Sequence, residues 1–421
     1  MGQTEISAPV SGETEKPKFD ENFIDKTLRI DYILAGDAKT EEVFFDRMKQ
    51  EPYWGAPHKN LIDPFNYGSY RYCLYDSTSG KLLFSRGFSS LFQEWKGTPE
   101  AMKVKRAFSM TAVMPFPKFP ILFVIEKRDF QTNQFHLLFQ RYIDPNDYCI
   151  LAESVKPYKY TKIKFSGDPV NHVDIAFLAE GYTEKEMPKF LHDAREMVDY
   201  FMQTEPYSQN SECFNFYAIE SPSEESGVDI PGKDIYVNTN INSTFYTFDM
   251  DRYLTTFDTK SMYDIAANVP CDVVFVLVNS AVYGGGGFYN HFGESTVDHP
   301  QSKLVAIHEF GHTFAGLGDE YVGSVSYSDF YNLNFEPWEP NLTTNKSFDT
   351  KWKNMVTAGS PLPTPREEKY KDAIGMFEGG GYLSKGMYSP MMNCRMNSNE
   401  AKGFCPVCQD AIQKMIRFYC E

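Results

Sequence analysis

Between residues 19 and 147 short apolar runs alternate with polar positions, and turn residues fall between the runs. Residues 27–34, 69–75, 81–84, 121–127 and 134–142 carry the period-of-two pattern of half-buried strands, and DSTSG at 76–80 is a turn signal between two of them. The pattern predicts a β-sandwich-like domain over 19–147. Prolines at 115 and 117 punctuate it, and Ile143-Asp-Pro145 falls close to its expected end. No titratable cluster stands out there, so the expected role is folding or substrate positioning. Residues 1–18 are polar, rich in Pro, Gly and Thr, and read as a flexible leader.

From residue 148 to 421 the pattern changes to strands alternating with helices, an α/β arrangement within an α+β chain. The run at 173–179 reads as a strand, and Thr183 with Glu186 has the spacing of a capping box ahead of a helix through Phe190, Met197 and Phe201. The continuous β-branched run at 272–278 predicts a strand buried on both faces. Four glycines at 284–287 lack the Gly-Lys-Ser/Thr ending of a phosphate loop; they read either as an edge strand beside a cleft or as a flexible loop. A helix is expected over 302–315, loop-rich chain over 321–387, and a last helix over 406–419 with Val407, Ala411, Met415 and Phe418 on one side.

The candidate chemistry lies on the first of those two helices, at His308-Glu-Phe-Gly-His312. Residues four apart share a helix face, so both imidazoles can reach one ion, and Glu309 stands beside them to act on water without ligating. Zinc is the ion this pattern suits, lowering the pKa of its water to roughly 7. A core helix with two satisfied histidines leaves Glu309 unexplained. A catalytic zinc needs a third protein ligand, and the glycines at 316 and 318 allow the chain to reverse and supply one. Asp319 is the expected third ligand and Glu320 its rival. Downstream, Met391, Met392 and Met396 are candidates for an apolar floor beneath the metal.

Composition adds limits. With 421 residues, 35 Phe and 27 Tyr the chain fills more than one core, and a net charge of −16 argues against nucleic acid as a partner. No apolar run is long enough for a membrane-spanning helix. Of the eight cysteines, Cys394, Cys405, Cys408 and Cys420 crowd the C-terminus. Two disulfides stapling the last helix are the favoured reading and a four-cysteine zinc site the other.

Taken together, HEFGHTFAGLGDEY at 308–321, TLRIDYILAGD at 27–37, GFSSLFQEW at 87–95, FEGGGY at 377–382 and FCPVC at 404–408 resemble the IgA peptidase-like family of bacterial zinc metallopeptidases. The resemblance spans about 20–420. It implies an N-terminal β-domain followed by a zincin or metzincin-like catalytic domain, one catalytic zinc, and a protein that is secreted or attached to the cell envelope. It matches His308 and His312 to ligands and Glu309 to the catalytic residue, and implies an endopeptidase acting on protein or peptide substrates, a host glycoprotein among the candidates. The chain departs from the wider metzincin spacing: Ala315 and Gly318 stand at the usual glycine and ligand positions, and Asp319 comes one residue late. Ser389-Pro390 and Ala179-Glu180 also differ from the family's turns. The competing readings are a surface glycoprotein-binding protein with a structural metal, and a zinc amidase acting on cell-wall peptide. An open metal coordination position separates catalysis from mere binding.

Overall fold

Alternation in the first third of the chain is realised as two four-stranded sheets. The computed structural model describes residues 16–323 and 330–421. Most of the expected leader, 1–15, lies outside the described residues, as does 324–329. In the first sheet Phe23–Gly36 is flanked antiparallel by Glu41–Glu51 and Arg106–Pro117, and Ile150–Leu151 adds parallel to Glu41–Glu51. The second sheet runs Leu82–Phe88, Tyr70–Asp76, Ile121–Arg128, Phe135–Ile143, antiparallel throughout. Leu28, Ile30, Tyr32 and Leu34 from the first and Leu74, Phe84, Phe123 and Ile125 from the second share one core.

Two of these strands have weak sequence signals. Glu41–Glu51 is dense in charge, and Phe44 on it is exposed. Arg106–Pro117 absorbs the prolines that read as punctuation: Pro115 pairs with Thr27 and Pro117 with Phe23, on either side of a register shift between Ile24 and Thr27. The missing proline N–H is tolerated at such an irregular strand end.

The other face of Phe23–Gly36 is charged and also buried. Arg29 donates to both Asp31 oxygens (2.8 and 3.0 Å), to Glu51 (3.1 Å) and to Asp264 (2.7 Å) on the helix Thr259–Ala266, tying the β-rich region to the rest of the chain. Burial would raise the Asp31 carboxyl, and the Arg29 guanidinium outweighs it and holds the group below the usual range. At Glu51 burial outweighs the pull of Arg29, the Asp31 and Asp264 charges add to it, and the carboxyl is pushed up to about 7. The signs are opposite. Asp31 contributes stability above the ordinary carboxylate range that is lost as pH falls through its lower folded value. Glu51 is ionised in the unfolded chain but not in the folded one between about pH 4 and 7, so its folded form loses stability as pH rises through that window, by on the order of 3 kcal/mol. Glu51→Gln is therefore expected to flatten the fall in melting temperature between about pH 4 and 7; an unchanged slope in thermal scans would remove Glu51 as its source.

The remainder is organised on a six-stranded sheet in the order Gly285–Phe288, Phe292–Thr296, Val273–Val278, Val173–Glu180, Phe214–Glu220, Lys159–Lys164. The inner four strands are mutually parallel and both edge strands are antiparallel. Every residue of Val173–Glu180 and Val273–Val278 is buried, as a strand covered on both faces requires. The capping box forms, with Thr183 N–H donating to Glu186 (2.8 Å), and leads into the helix Met187–Phe201. Helices Ser302–Ala315 and Pro406–Cys420 pack with that helix on one side of the sheet around Phe177, Phe275, Phe310 and Ile412. Among the described residues no helix is long and apolar enough to cross a membrane.

Candidate metal centre

The helix Ser302–Ala315 is apolar on most of its surface, with Val305, Ala306, Ile307, Phe310 and Phe314 buried, so its axis is fixed by packing on the sheet. The glycine strand sets how close it lies. A Cβ on Gly287 would stand 2.4 Å from the Glu309 carbonyl oxygen and one on Gly285 2.9 Å from Glu309 Cγ. The glycines at 285–287 thus form an edge strand pressed against the helix and lining the cleft, as the first of the two sequence readings expects, and not a flexible loop. Leu254 N–H already donates to the Gly285 carbonyl (3.4 Å), and Tyr253 bridges to Gly285, so the outer side of this strand is partly taken.

The helix stops at Gly316, which takes the left-handed conformation (φ +62°) that a side chain disfavours. Its N–H returns to the His312 carbonyl (3.0 Å) and that of Leu317 to Gly311 (3.2 Å), closing the end and turning the chain back under the helix. Asn341 holds the reversed segment at both the N–H and the carbonyl of Gly318 (2.7 and 2.8 Å).

Three atoms then converge. His308 Nε2 and His312 Nε2 are 3.1 Å apart, and Asp319 Oδ1 lies 3.0 Å from the first and 3.4 Å from the second. The outer nitrogens face backbone carbonyls: His308 Nδ1 meets Arg395 O (3.0 Å) and His312 Nδ1 meets Leu317 O (2.6 Å). Protons placed on Nδ1 to satisfy those carbonyls leave both Nε2 lone pairs aimed at the same point as the carboxylate. Three lone-pair donors in contact repel one another unless a cation lies between them. Tetrahedral zinc, with bonds of about 2.0–2.1 Å, spaces its ligand atoms about 3.3 Å apart, which matches the separations here. Burial alone would lower both imidazoles, but the Asp319 charge outweighs it, drawing His308 upward and His312 up to about 9. The pocket therefore favours positive charge.

Glu309 joins the two histidines in a group whose candidate ligand atoms all lie within 4.8 Å. Burial raises its carboxyl above the ordinary range, against the pull of the histidines. Met396 is wholly buried, its sulfur 3.0 Å from where a Cβ on Gly311 would lie, directly under the helix between the histidines. Met391 and Met392 are only half-buried. Of the two acidic candidates, Asp319 meets the imidazoles. Glu320 turns the other way, its Oε1 accepting from Asn341 (2.9 Å) and from the Cys408 thiol (3.1 Å).

The C-terminal cysteines also differ from expectation. No disulfide forms among the described residues, and Cys420 lies apart from the other three, its sulfur 3.7 Å from the Cys213 carbonyl. Both the double staple and the four-cysteine site require Cys420, so neither is built.

The centre opens into a cleft of ≈ 390 Å³. Part of its wall comes from the β-rich region through Ser89, Ser90 and Glu94, although that region carries no visible cluster in sequence. Glu94 is half-buried, and its desolvation pushes it up to about 7 against a hydrogen bond from Tyr253. It lies within the 87–95 segment of the family resemblance, the one signal that could have found it. Tyr382, whose hydroxyl donates to Asp319 Oδ2, sits likewise at the end of FEGGGY. Arg252 also lines the cleft, where nearby Tyr321, Tyr283, Asp319 and Glu309 raise its pKa against burial; no motif marks it.

The sequence profile of the IgA Peptidase M64 family matches residues 161–372 and 366–416, and that of the Peptidase M64 N-terminus matches residues 18–140. The chain belongs to the IgA peptidase M64 family. The IgA Peptidase M64 profile takes in the histidine helix, Asp319 and the C-terminal turn, and the M64 N-terminal profile takes in Glu94. Family membership makes the chain a peptidase and the converging donors a candidate metal site for it. No curated protein matches the chain.

Proposed function

We propose that the protein is a zinc-dependent endopeptidase in which His308, His312 and Asp319 hold the ion and Glu309 is the general base. The observation that carries this reading is the convergence of His308 Nε2, His312 Nε2 and Asp319 Oδ1 within 3.0–3.4 Å, with both imidazoles tied back through Nδ1. Three protein ligands on one side leave a fourth position facing the cleft, the arrangement of hydrolytic zinc. Zinc bound there supplies Lewis acidity toward water and the peptide carbonyl. Glu309 takes the proton of the attacking water and then delivers it to the leaving amine. Tyr382 fixes the Asp319 carboxylate, and Arg252 adds a positive charge to the wall of the cleft.

The glycine edge strand over the helix and Met396 beneath it support a metzincin-like layout for this half of the chain. Substrates are then extracellular proteins or peptides, host glycoproteins among them, and the protein acts outside the cytoplasm or on the cell envelope; both rest on family membership. The test is cleavage of a peptide library by the zinc-loaded chain, run beside cell-wall fragments, before and after chelation. We expect cleavage of peptides, its loss on metal removal and its return with stoichiometric zinc. Cleavage that persists in metal-free protein, or turnover of cell-wall amides alone, would overturn the reading.

A further inference from the structure

Glu320, displaced from the histidine centre, ends in a second cluster that the peptidase reaction does not use. Cys394, Cys405 and Cys408 surround it, and one candidate ligand atom from each of the four residues lies within 4.8 Å of all the others. All four residues are buried: Cys394 and Cys408 are 0% exposed, Glu320 1% and Cys405 4%. We propose that Glu320, Cys394, Cys405 and Cys408 form a closed, four-ligand structural zinc site.

The spacing supports it. Cys394 Sγ and Cys408 Sγ are 3.7 Å apart. Tetrahedral zinc with bonds to sulfur of about 2.3 Å sets its sulfurs about 3.8 Å apart, whereas a disulfide needs about 2.05 Å. The Cys405-Pro-Val-Cys408 step supplies two ligands from the start of the helix Pro406–Cys420, the short spacing common in structural zinc sites. The Cys405 N–H donates to Cys394 Sγ (3.3 Å), the kind of backbone donor that steadies a thiolate ligand. The carboxylate gives a further reason. Glu320 Oε2 is fully buried with no hydrogen-bond partner, beside three sulfur atoms that are poor donors. Such a group is costly to bury unless a cation meets it. Zinc with three thiolates and one carboxylate carries a net charge of −2, offset in part by Asn341, the Cys405 N–H and the positive end of the C-terminal helix. Binding releases the thiol and carboxyl protons to solvent and involves no redox change.

Such a site would hold three parts of the hydrolytic centre together. Glu320 is next to Asp319, and its N–H donates to the Met396 carbonyl (2.8 Å). Cys394 is next to Arg395, whose carbonyl orients His308. The last helix supplies the other two ligands. The second ion is thus a clamp for the loop that presents Asp319 and for the turn under the histidines.

Two measurements test this on the full chain. The first is zinc content by mass spectrometry, expected at about two ions per chain and falling to about one in Cys405→Ser and Glu320→Gln. The second is cobalt(II) substitution, which needs no variant. Thiolate-to-cobalt charge-transfer absorption is expected in the parent and in Asp319→Ala, because the histidine centre contains no sulfur ligand. That arm separates the two sites: lost peptidase activity with the sulfur band present counts against the histidine centre alone. Absence of the band in the parent, or unreduced alkylation mapping that shows any of Cys394, Cys405 and Cys408 in a disulfide, would overturn the proposal.

Discussion

Glu309→Gln is expected to lower kcat/KM by about 10²–10⁴-fold while the zinc content stays at the parental level. Glutamine keeps the shape of the side chain, and shape matters here because Gly285 and Gly287 press the helix at this residue. It cannot accept a proton at neutral pH. Glu309 is not among the three converging donors, so its replacement leaves the ligand set whole. The measurement pairs steady-state cleavage of a peptide identified from the library with metal analysis of the same sample. Parental turnover would show that another group activates water; Glu94, which lines the same cleft, would be the next to examine.

Asp319→Ala should have a different signature, losing the metal and the activity together. It removes the carboxylate that meets two imidazoles 3.1 Å apart and takes away the Asp319 oxygen to which the Tyr382 hydroxyl donates. A graded comparison makes the claim quantitative. Tyr382→Phe removes the hydroxyl that donates to Asp319 Oδ2 and should weaken zinc binding by about 10–100-fold, the usual effect of losing an orienting partner. Asp319→Ala should exceed it. Competition titration against a chelator of known affinity gives both values. If Asp319→Ala binds zinc as tightly as the parent, the third ligand lies elsewhere.

Much of this centre was legible because it is local. His308, Glu309 and His312 share one helical turn, and periodicity alone places them on a common face. Gly316 signals the reversal that brings Asp319 back to them. Choosing Asp319 over Glu320 was harder, since adjacent acids look alike in sequence. What separates them is the direction of the reversed chain and the neighbours waiting on each side, Tyr382 for one and three cysteines for the other. The strands with alternating polarity were readable, whereas Glu41–Glu51 and Arg106–Pro117 were obscured by charge and by proline. The role of Glu94 was out of reach from its own surroundings: only the docking of the β-rich region against Tyr253 brings it to the cleft.

The carbonyls of Arg395 and Leu317 that hold the two imidazoles carry one more consequence. Every amino acid has such a carbonyl, so side-chain scanning will score these positions as dispensable for orientation, whatever else the Arg395 side chain does. Their contribution is written in the path of the main chain. Insertions or deletions at 316–318 or 394–396 would reach it, and so would backbone ester replacement at the neighbouring peptide units. Sequence variation at both positions can therefore be wide without loosening the histidines, provided the lengths of the two turns do not change.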